Sequence, residues 1–140
     1  MREFQQENDT ASHTKQASGP GEALLDRPAK AESRAGRTIR DIFESGRPLT
    51  YIRTSEEQRV GTVLREVAEG PFSREPLPIW TWSLTEGLQR DDVRQPGTEA
   101  PRAALDFIAT HTGAAIFHLK DFHEPLRESA EIRRRLRDVY

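Results

Sequence analysis

The 140-residue chain contains no cysteine. That excludes a disulfide framework and a thiolate zinc site. Lysine is scarce, at 3 residues against 18 arginines, a balance that reads as coding bias before function. A net charge of −2 lacks the basic footprint of a dedicated nucleic-acid binder. No apolar run approaches the roughly 18 residues of a membrane span. The N-terminus lacks the basic-then-apolar order of a signal peptide. A soluble cytoplasmic protein with neither nucleic-acid nor membrane partners is the expectation. Large apolar residues are themselves unevenly spread: residues 1–36 hold only Met1, Phe4, Leu24 and Leu25. Such a segment cannot bury enough apolar surface to offset its ordering entropy. A disordered tail over 1–36 is expected, with a partner-binding arm as the alternative.

With 34% hydrophobic and 31% charged residues, the chain is too polar to be globular throughout. Order is expected over 37–140, long enough for a single core. Ile39, Ile42 and Phe43 follow helical spacing, stopped by Gly46-Arg47-Pro48. Leu49–Arg53 (LTYIR) reads as a strand by propensity. Ser55 and Gln58 form a capping-box pattern, with Glu56 and Glu57 at the positive end of the following helix. Val60, Val63, Leu64 and Val67 make its apolar stripe. Gly61 inside that helix costs about 1 kcal/mol against Ala unless another backbone packs close to it.

Leu77–Trp82 (LPIWTW) suits a second strand, with Trp80 and Trp82 on one face; core packing is favoured there over base stacking. Residues 83–99 read as a turn and an exposed loop. Pro101 opens a helix with Ala104, Leu105, Phe107 and Ile108 inward, and His111 on the surface near its end. Ala114–Leu119 is a short apolar run bounded by Gly113 and by charges, which reads as a strand buried on both faces. Ser129 caps a last helix with Ile132, Leu136 and Val139 inward. Strands alternating with helices imply α/β architecture: three strand–helix repeats with parallel pairing. Three strands is few, and the chain ends within a charged helix, so the expected domain at 37–140 is cut short at its C-terminus.

Chemistry-bearing residues gather after the third strand. Asp121, His123 and Glu124 follow Leu119-Lys120, where α/β sheets hold ligands. Asp121 resembles the acidic end of a Walker B strand, which holds Mg²⁺; capping the next turn is the simpler role. Asp121, His123 and Glu124 with His118 offer imidazole and carboxylate to a metal, but without helical i, i+4 spacing. A structural histidine beside a carboxylate is favoured, and no metal site is expected. A phosphate loop would fall at Arg53-Thr54-Ser55-Glu56-Glu57, which has no glycine, no lysine and two carboxylates. No catalytic residue is therefore assigned. Arg133, Arg134, Arg135 and Arg137 form a solvated face or a docking surface for an acidic partner.

The segments RPLTYIRTSEEQRV (47–60), IWTWSLTEGL (79–88), PRAALDFI (101–108) and AIFHLKDFHEPL (115–126), with the closing IRRRLRDVY, carry a likeness. Over 37–140 they resemble the amino-terminal region of bacterial and plastid AAA-family ATPases. The resemblance implies a degenerate or incomplete P-loop NTPase-like domain, with Asp121 and His123 as family-like polar positions at a strand end. It also implies a following module that carries the phosphate loop, ATP, Mg²⁺ and the arginine finger. No such module lies within these 140 residues, so no cofactor is expected in this chain. A non-catalytic N-terminal domain or fragment is the primary reading, partnered by the ATPase module or by itself. A freestanding α/β protein-interaction module is the alternative, and a metal-assisted enzyme using the Asp121/His123 loop is third.

Overall fold

The computed structural model describes residues 31–70 and 75–140. The tail expected over 1–36 lies largely outside them. The first described element, helix α1 (Arg34–Glu44), begins three residues ahead of the expected onset at Arg37. Ser33 caps it, its hydroxyl accepting from the Gly36 N–H at 2.9 Å. The Ser33 N–H in turn donates to Glu66, which ties α1 to helix α2 (Glu57–Ala68).

The Ser55 capping box does not form. The Thr54 hydroxyl accepts from the Glu56 N–H at 3.0 Å, and Glu56, not Ser55, becomes the N-cap. Val63, Leu64 and Val67 of the predicted stripe are buried along α2 together with Ala68, while Val60 is half-buried. Nothing approaches within 4 Å of where a Cβ on Gly61 would sit, so no close packing explains that glycine.

Four strands form one mixed sheet: β1 (Ile79–Ser83), β2 (Gly87–Arg90), β3 (Val93–Arg94) and β4 (Ile116–Leu119). Their order is β3-β2-β1-β4, with β1–β2 and β2–β3 antiparallel and only β1–β4 parallel. This corrects the expected three-stranded parallel sheet in two ways. Leu49–Arg53 is not a strand: it holds no regular secondary structure, with Leu49 47%, Tyr51 74% and Ile52 41% exposed. Residues 83–99, expected to be a turn and loop, hold the β2–β3 hairpin instead. Its two-residue turn is Asp91-Asp92, both at positive φ (50° and 62°), the backbone that fits the twist of the flanking strands.

One hydroxyl holds the hairpin to the core. Thr98, 4% exposed, donates from Oγ1 to the Gln95 carbonyl (2.7 Å) and accepts from the Leu88 N–H (2.8 Å). Its carbonyl accepts from Trp82 Nε1 at 2.8 Å. Gly87 lies against it at φ 71°, where a Cβ would stand 2.8 Å from Thr98 Oγ1 and 3.1 Å from the backbone behind. Only glycine fits there.

Helices cover both faces. On one face Trp80, Trp82, Phe117 and Leu119 pack with α3 (Pro101–Thr110), α4 (His123–Glu128) and α5 (Ala130–Val139) around Leu88, Leu105, Phe122 and Ile132. Ser129 caps α5 as expected, accepting from the Ile132 N–H. On the other face Ile79 and Ile116 meet Leu64 and Ala68 of α2 and Ile39 and Phe43 of α1. His111 is half-buried and not fully on the surface. Its ring packs edge-on to Phe117 at 5.3 Å and beside Phe107 and Trp80, completing an aromatic cluster. β4 is covered on both faces, as its apolar run predicts, yet it is an edge strand and not a central one.

Candidate functional site

A groove of about 1040 Å³ runs along the outer edge of β4. Both helical layers overhang that edge. Ile39, Phe43, Val60 and Leu64 wall it on one side, and Leu105, Ile108, Leu136 and Val139 on the other. Residues 46–54, the strap that joins α1 to α2, also line it. The volume is at the upper end of the about 300–1,000 Å³ of ligand pockets. Apolar walls with a few polar groups at one end are the composition such sites share.

The polar groups come from β4 and the residues just after it, from the strap and from the start of α2: His118, Lys120, Asp121, His123, Arg53 and Glu57 all line the groove. His118 lies on the α1–α2 side, paired in register with Thr81. Burial, aided by the Lys120 charge and opposed by Glu57, lowers its pKa below the ordinary value. Near neutral pH it is therefore an uncharged imidazole, able to donate one hydrogen bond and accept another.

Asp121 sits in the left-handed region (φ 52°), where its carbonyl accepts from the Glu124 N–H at 3.1 Å and starts α4. Asx residues tolerate that conformation; the N-cap of α4 is Phe122, and the Asp121 contact is made by its backbone carbonyl. His123 Nε2 lies 3.0 Å from Glu124 Oε1 on the exposed side of α4. The structure thus brings Asp121, His123 and His118 to one groove. Among the described residues no group of three His, Cys, Asp or Glu is placed to hold a metal, and no helix is long and apolar enough to cross a membrane.

The four arginines of α5 have separate surroundings. Arg133 Nη1 donates to the Leu126 and Arg127 carbonyls at 2.6 and 3.1 Å, satisfying the end of α4. Arg134 pairs with Asp138 at 3.3 Å, and Arg135 reaches Asp106 on α3 at 2.6 Å. Burial at that seam raises the Asp106 carboxyl, but hydrogen bonds from Arg135 and Arg102 outweigh it and hold the pKa below its ordinary value. Arg102 also pairs with Glu131, closing an α3–α5 network. Arg137 is exposed. Two of the four cations, Arg133 and Arg135, therefore hold helices together, while Arg134 pairs within α5.

Residues 35–140 match the N-terminal domain of SpoVK-like AAA ATPases. The chain belongs to that family. No curated protein and no solved structure gives a match. In this SpoVK-like N-terminal domain the residues at the start of α2 are acidic. Phosphate binding at a helix N-terminus needs free N–H groups and no competing anion. Here the Thr54 hydroxyl takes the Glu56 N–H, and Glu56 and Glu57 place carboxylates at the helix start, Glu56 held by Arg59 at 3.1 Å. The groove and its strap were the features least visible in the SpoVK-like sequence. The strap's apolar residues signal a strand, whereas in the structure they border an opening.

Proposed function

We propose that the chain is a non-catalytic docking domain of a SpoVK-like AAA ATPase, with a protein as its partner. The observation that carries this reading is the entry to α2, where carboxylates and a threonine-capped N–H occupy the place of a phosphate loop. The parallel β1–β4 pair between two helical layers supports descent from a nucleotide-binding α/β domain that no longer binds nucleotide. The groove beside β4 is the surface offered to the partner, which is the ATPase module or another copy of the chain. ATP and Mg²⁺ belong to the ATPase module in this reading, and a cytoplasmic location goes with it. Exposed Arg137 extends the docking surface on α5.

Calorimetric titration with Mg·ATP tests the central point. We expect no heat of binding up to millimolar nucleotide, and a micromolar Kd would overturn the proposal. A freestanding interaction module would use the same groove. Adding the ATPase module in trans distinguishes the two readings, because only the first expects binding.

A further inference from the structure

We propose that the strap Leu49–Arg53 closes onto the free edge of β4 as a fifth, parallel strand and so gates the groove. Two unsatisfied features face each other there. The first is β4. Its Ile116 and Lys120 N–H groups donate to the Pro78 and Trp82 carbonyls of the β1 side at 2.9 and 3.0 Å. Backbone direction alternates along a strand, so the polar groups of Phe117 and Leu119 point the other way, to an edge where no strand pairs among the described residues. The second is the strap itself, a run of high strand propensity that holds no regular secondary structure and is exposed where it lines the same groove as that edge.

Topology names the strap as the occupant. β1 leads through α3 to β4, and α3 lies on the Trp82 face of the sheet. The strap leads through α2 to β1, and α2 lies on the opposite, Ile79 face. Parallel crossovers are right-handed in about 98% of cases. Two crossovers on opposite faces share a hand only if they step across the sheet in opposite directions. The first steps from β1 towards β4, so the second must step towards β1 from beyond β4. That is the position of the groove.

The shape of the groove agrees, since helices of both layers overhang it as they would overhang a strand. The strap reaches the edge within its own chain, where short tethers give effective concentrations on the order of millimolar. Closure would bury Leu49 or Ile52 and fill the opening, so any groove ligand would have to displace the strap. The inference does not depend on the docking reading.

Amide hydrogen exchange of the full chain by NMR tests it. Closure predicts that Phe117 and Leu119 are protected to within about tenfold of Ile116 and Lys120, equally at two protein concentrations. Tyr51→Pro and Ile52→Pro are then made separately. Because the residues are consecutive, one of the two variants must remove an N–H that faces β4. That variant should speed exchange at Phe117 and Leu119 at least about tenfold, with Trp82 and Leu88 unchanged as controls for global folding. Open-amide rates at Phe117 and Leu119 in the unaltered chain would overturn the proposal, even if neither proline variant folds. So would protection that survives both substitutions. Protection that appears only at the higher concentration would also overturn it, in favour of strap exchange between copies.

Discussion

Replacing Thr98 with Val keeps the shape of the side chain and removes its hydroxyl. The Leu88 N–H, on a residue with no exposed surface, then loses its acceptor, and the Gln95 carbonyl loses its donor. The Trp82 indole still has the Thr98 carbonyl, because that bond is to backbone. A buried donor left unsatisfied costs about 1–3 kcal/mol, so Thr98→Val should destabilise by about 2 kcal/mol. In a domain of this size 1 kcal/mol shifts Tm by about 4–8 °C, which predicts a fall of about 10 °C. Thr98→Ser keeps the hydroxyl and loses one methyl, so it should cost about 1 kcal/mol or less. Urea unfolding followed by the fluorescence of Trp80 and Trp82 measures both variants. If Thr98→Val proves as stable as Thr98→Ser, the hydroxyl does not hold the hairpin and the reasoning fails.

Two further outcomes follow from single positions. Gly61→Ala should stabilise by about 1 kcal/mol, since the site is open and the helix gains propensity; a loss of stability in thermal unfolding would contradict the open space beside it. His118 has a folded pKa below its ordinary value of about 6.5, so the unfolded chain binds more protons and stability rises with pH across that interval. Its contribution is complete above about 6.5 and is lost as pH falls towards the lowered value, and His118→Leu should flatten that part of a stability–pH profile. A profile unchanged by the substitution would refute the assignment.

Helices α1, α2, α3 and α5 were legible because their apolar stripes are long enough to average over local exceptions, whereas the short α4 falls in a stretch that reads as a loop. Val63, Leu64 and Val67 of α2, and Ile132 and Leu136 of α5, face inward as their spacing demands. β1 and β4 were legible as dense apolar runs. The hairpin was not. Only Leu88 and Thr98 are buried in its neighbourhood besides Gly87, and the Asp91-Asp92 turn looks like any acidic loop until both residues are seen at positive φ. Leu49–Arg53 failed in the opposite sense. Its strand propensity is real, but a strand needs a ladder partner, and propensity says nothing of whether one is engaged. At the site, Asp121 follows β4 by two residues and His123 opens α4. The groove was invisible because its walls come from helices far apart in sequence, and an overhang is a tertiary property.

The two borders of the sheet are unequal. β3 is two residues long, flanked by the Asp91-Asp92 turn and by Arg94 paired with Glu86, and offers little for another sheet to extend. Among the described residues only β4 presents a usable border. A sheet with one live border cannot grow head to tail, since each added copy leaves no second edge to accept the next. Were the strap to stay open, association through β4 could join two copies about a two-fold axis and then stop. The same asymmetry that leaves this chain a place to bind thus protects it from polymerising into a fibre.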